Sequence, residues 1–98
     1  MIDKKMVDKI TALLNKKIKE GLYVELDYIF DDFINLLSSV NDGFDIDIDI
    51  VLNYNSCPIY YLVLSISYED DNKIEYIFNY IEDDRRLIIT SMEQINFN

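Results

Sequence analysis

The stretch "DGFDIDIDIVLNY", residues 42–54, is where the chain changes its period. From Phe44 onward apolar residues recur at every second position, so that Phe44, Ile46, Ile48, Ile50, Leu52 and Tyr54 lie on one face of a strand and Asp45, Asp47 and Asp49 on the other. Downstream, "NSCP" makes a turn, and Tyr60, Leu62, Leu64, Ile66 and Tyr68 line the next strand. "EDDNK" turns the chain again, placing Ile74, Tyr76, Phe78 and Tyr80 on the inner face of a third strand, and "EDDR" leads into a last one near 86–95, where the alternation is poor. Connections this short permit antiparallel hairpins and not parallel crossovers.

Upstream, the period is that of a helix. Met6, Ile10, Leu13, Leu14 and Ile18 form one apolar stripe with lysines opposite, Asp3 stands where it can cap the start, and Gly21 follows the end. Leu26, Ile29, Phe30, Phe33, Leu36, Leu37 and Val40 form a second stripe, which predicts a helix from about Glu25 to Val40, closed by "NDG" at 41–43. Its outer face carries Glu25, Asp27, Tyr28, Asp31, Asp32 and Asn35. The expected fold is α+β: two N-terminal helices packed on one face of a four-stranded antiparallel meander, ααββββ, in a single domain over residues 1–98. A chain of 98 residues that is 50% hydrophobic has enough apolar side chains for one core.

Charge narrows the functional classes. Nineteen acids against nine bases give −10, and residues 1–20 alone hold six lysines against Asp3, Asp8 and Glu20, a net +3 that leaves −13 for residues 21–98. Such a field repels nucleic acid and anionic lipid and attracts basic surfaces, so direct nucleic-acid or membrane binding is not expected. No segment approaches the roughly 20 apolar residues of a membrane span, and the first 20 residues lack the apolar block of a signal peptide. One cysteine, Cys57, and no histidine fit a reducing cytoplasm and remove the commonest general base.

The aspartate row fails as a metal site. A calcium loop counted from Asp45 needs Gly at its sixth position and Glu at its twelfth; the chain has Ile50 and Ser56. Carboxylates two apart on a strand are separated by about 6.7 Å and do not converge on one ion. Cys57 precedes Pro58 without an evident activator and no glycine-rich phosphate loop exists, so no catalytic residue, metal or cofactor is expected. Two readings of the row remain. Charges on an edge strand discourage pairing with other chains and need no further purpose. Alternatively Asp45, Asp47, Asp49 and Glu75, supplemented by Asp31, Asp32, Asp70 and Asp71, offer a basic partner a run of anions. Three aspartates in one strand break the local propensity rule, which is more expected at a functional surface than elsewhere. Val51, Ile59, Tyr61, Val63, Ile77 and Ile81 share the outer face with these acids, and an apolar patch rimmed by charge reads as a contact surface, for a partner or for a second copy of the chain.

In size, acidity, richness in Ile, Asn, Asp and Tyr, and the pairing of short helices with an acid-studded antiparallel sheet, the chain resembles small phage-encoded inhibitors such as anti-CRISPR proteins and other DNA mimics. It is similar also to the acidic immunity proteins that neutralise nuclease toxins. Both resemblances imply a protein without catalytic chemistry that occludes the nucleic-acid site of a basic partner. The competing expectation is a structural or adaptor module that homodimerises through the outer sheet.

Overall fold

The computed structural model describes residues 4–38, 47–53, 61–68 and 72–97. The first helix, α1, runs Lys4–Glu20. Met6, Val7, Ile10 and Leu14 are buried, with Leu13 and Ile18 partly so. Lysines 17 and 19 in its last turn complement the helix dipole. The helix stops at Gly21, whose φ of +97° lies in the left-handed region and whose N–H donates to the Ile18 carbonyl at 3.1 Å. Asp3, the expected cap, lies outside the described residues.

The next segment departs from expectation. A continuous helix from Glu25 does not form; instead Tyr23–Glu25 is a short strand, β1, followed by a 3-10 turn at Leu26–Tyr28 and a nine-residue helix, α2, Ile29–Leu37. Tyr, Val and Glu just past a helix stop take the extended form because a strand edge is offered to them: Tyr23, Val24 and Glu25 pair with Ile88, Leu87 and Arg86. Two further backbone bonds flank the pairing, Ile89 N–H to the Leu22 carbonyl at 2.9 Å and Leu26 N–H to the Arg85 carbonyl at 2.8 Å. Shortening also changes which residues α2 buries. Ile29, Phe33 and Leu37 face the core, whereas Phe30, expected inside, is 48% exposed beside Ile34.

The remaining strands are β2 (Asp47–Asn53), β3 (Tyr61–Tyr68), β4 (Asn72–Asp83) and β5 (Arg86–Phe97). Together with β1 they form, among the described residues, one antiparallel sheet of five strands, not four, in the order β1-β5-β4-β3-β2. A two-residue turn joins β4 to β5, with Asp84 and Arg85 both at positive φ (50° and 63°), as a type I′ hairpin requires. The poor alternation of β5 has a local cause. Asn79 stands opposite Ser91 and Tyr80 opposite Ile89, so Thr90 is one residue too many, a β-bulge. The Thr90 hydroxyl donates to the Asn79 carbonyl at 3.1 Å, and Asn79 Nδ2 donates to Ser91 Oγ at 2.8 Å.

Leu62, Leu64 and Ile66 on β3 and Ile74, Tyr76 and Phe78 on β4 are fully buried and join the buried residues of α1 and α2 in one core. The Phe33 and Phe78 rings lie 5.5 Å apart at 38°, a tilted pair of the kind aromatic quadrupoles favour. A polar chain fixes α1 over the sheet: Thr11 donates to Gln94 Oε1 at 2.7 Å, which leaves Tyr76 as the donor in its 3.1 Å bond to Thr11 Oγ1. Among the described residues no helix is long and apolar enough to cross a membrane.

Candidate protein-binding surface

Because α1 and α2 pack on the side of Leu64, Tyr76 and Phe78, the described helices leave the other side of the sheet uncovered, and strand register fixes its composition. One row across it reads Asp49, Ser65, Glu75, Ile95; the next reads Val51, Val63, Ile77, Glu93; a third reads Tyr61, Asn79, Ser91. Neighbouring strands are about 4.8 Å apart, so Val51, Val63 and Ile77 touch as one apolar strip with carboxylates on two sides. Val51 is 53% exposed, Ile95 38%, and Tyr61, Val63 and Ile77 are half-buried. Asp49 and Glu93 are exposed. Glu75 is less free, since Lys73 Nζ lies 3.1 Å from its Oε1. Further along, Ile81 pairs with Ile88 and Ile88 with Tyr23, over whose ring the Arg86 guanidinium sits 5.3 Å from the centroid.

The acids expected to act together are not all in one place. Asp49 and Glu75 share the outer face, and Asp47 holds the register position opposite Ser67. Asp31 is exposed on α2, on the helix side of the sheet. Asp32 serves the fold itself, since its Oδ2 accepts the Glu25 N–H at 2.8 Å and ties α2 to β1. Asp45, Asp70, Asp71 and Ile59 lie outside the described residues, as does Cys57. Glu93, Ile95 and Ile88 join the outer face unexpectedly, because the bulge disguises the facing of β5. Among the described residues no three acidic or cysteine side chains converge as metal ligands would.

On the helix side a depression of about 270 Å³ opens between the 3-10 turn, the start of α2 and β2, lined among others by Leu26, Asp27, Tyr28, Phe30, Asp31 and Ile50. Asp27 is held from the β4–β5 turn by Arg85, which donates to both of its carboxylate oxygens, Nε at 3.3 Å and Nη2 in a shorter contact. No protein-family model, curated protein or solved structure matches this chain.

Proposed function

We propose that the chain is a non-enzymatic acidic inhibitor, working in the cytoplasm, that binds a basic nucleic-acid-handling protein, a CRISPR-Cas effector or another nuclease, and occludes its nucleic-acid site. One observation carries the reading: the uncovered sheet face sets Asp49, Glu75 and Glu93 around the apolar strip Val51, Val63, Ile77. Carboxylates there meet the lysines and arginines that otherwise meet phosphates, and the strip supplies a desolvated centre. A nuclease-toxin immunity protein uses the same chemistry. Self-association is the second reading, favoured by the exposure of Val51, Ile81 and Ile95.

The test is a cleavage assay over purified Cas effectors and nuclease toxins with the wild type and with Asp49→Asn, Glu75→Gln, Glu93→Gln combined. A target inhibited by the wild type, protected by excess duplex DNA, and inhibited more than about tenfold less well by the variant supports the reading, since each close charge pair can contribute about 1.5 kcal/mol or more. Equal inhibition by both proteins refutes it. Sedimentation as a dimer that Val51→Lys dissociates, with no target inhibited, supports self-association instead.

A further inference from the structure

We infer that the depression between the 3-10 turn, α2 and β2 is a receptor for one arginine side chain of a partner protein. The inference deepens the reading above, on which the partner is basic, but it stands on the opposite side of the sheet. At about 270 Å³ the depression falls short of the roughly 300–1,000 Å³ that hold drug-sized ligands, and it suits a single side chain. Ile29, buried, and Leu26 and Ile50, half-buried, make up the aliphatic part of its lining. Tyr28 and Phe30, 61% and 48% exposed, bring two aromatic rings to an otherwise acidic rim.

Those aromatics and carboxylates together select a guanidinium. It is planar and weakly hydrated, stacks on ring faces, and still directs its N–H groups to carboxylates; an ammonium is compact, strongly hydrated and cannot stack. An anion is repelled by Asp31, and a neutral apolar group strips water from that carboxylate without giving it a partner. Asp27 already holds a guanidinium, that of Arg85. Asp31 has neither an ion-pair nor a hydrogen-bond partner among the described residues, and it is the carboxylate open to a second one. It also lies in the first turn of α2 with Asp32, where both offset the positive end of the helix dipole that would otherwise oppose a cation.

The experiment titrates the full ¹⁵N-labelled chain with N-acetyl-arginine methylamide and, in parallel, with the lysine analogue and with the citrulline analogue, which keeps arginine's shape without its charge. Saturable shifts at the Tyr28, Phe30 and Asp31 amides in the millimolar range are expected, with the lysine and citrulline analogues weaker by about fivefold or more. Asp31→Asn and Phe30→Ala should each weaken the arginine analogue by a similar factor while the rest of the spectrum stays in place. Citrulline binding as well as arginine, shifts confined to the outer sheet face, or Asp31→Asn binding as well as wild type would each overturn the assignment. No macromolecular partner enters this titration, so its failure leaves the inhibitor reading standing, and the failure of inhibition leaves the receptor standing.

Discussion

Along β3, Leu62, Leu64 and Ile66 alternate with Tyr61, Val63 and Ser65, so one strand supplies both faces of the sheet. The first set is buried under the helices; the second is half-buried with no described helix above it. The two faces are less different in composition than in cover, since the outer one also holds Val51, Ile77, Ile81 and Ile95. An apolar residue stabilises this fold in proportion to what packs against it, and on the outer face no described helix supplies that packing.

Substitutions break or sharpen this contrast in a definite order. Phe33→Ala removes a fully buried ring tilted against that of Phe78 and should cost about 3–5 kcal/mol in urea unfolding, enough to threaten a domain of this size. Val24→Thr, at 1% exposure on β1, buries a hydroxyl among apolar neighbours and should cost about 1–3 kcal/mol. Tyr76→Phe deletes the donor to Thr11 from the inner face but leaves the Thr11–Gln94 bond; a loss of about 0.5–1.5 kcal/mol is expected. Val51→Thr is the outer match to Val24→Thr and should shift stability by no more than about 0.5 kcal/mol. If the two threonine variants unfold at the same urea concentration, the contrast between the faces fails. Smallest of all, the combined neutralisation of Asp49, Glu75 and Glu93 gives up a half-buried ion pair with Lys73 and relieves a net charge of −10 by three. These effects oppose each other and should leave the melting temperature nearly unchanged, while the inhibition proposed above should fall.

The sequence made the inner face legible because its signal is local: period 2 in β3 and β4 and period 3.6 in α1 follow directly from which side chains are buried. What was not legible depends on distant residues. Tyr23–Glu25 is a strand only because β5 presents an edge to it, and that pairing cuts short the helix that the spacing of Leu26, Ile29 and Phe30 otherwise suggests. The same holds for the candidate surface. Asp49, Val63 and Ile77 follow from alternation, whereas Glu93 and Ile95 are hidden by the bulge. Asp32 looks like one more surface acid until the fold brings the Glu25 amide to it. The pairing of Phe30 with Ile34, an apolar i, i+4 step on the acidic side of a helix, was the available signal for the exposed ridge beside the depression.

Thr90 acts on β5 as an inserted base acts on a coding frame. Upstream of it odd-numbered residues, Leu87 and Ile89, point to the helices; downstream even-numbered ones do, Met92 and Gln94. Were Thr90 read in phase with its neighbours, Glu93 and Ile95 would turn beneath α1, and Gln94 would turn away from Thr11 to the open side. Removing Thr90 restores a single frame without moving any other residue across the sheet, whereas removing a residue from the middle of either half does not. Position 90 is therefore where this strand tolerates a change of length, and the one extra residue decides that the Glu93 carboxylate belongs to the solvent.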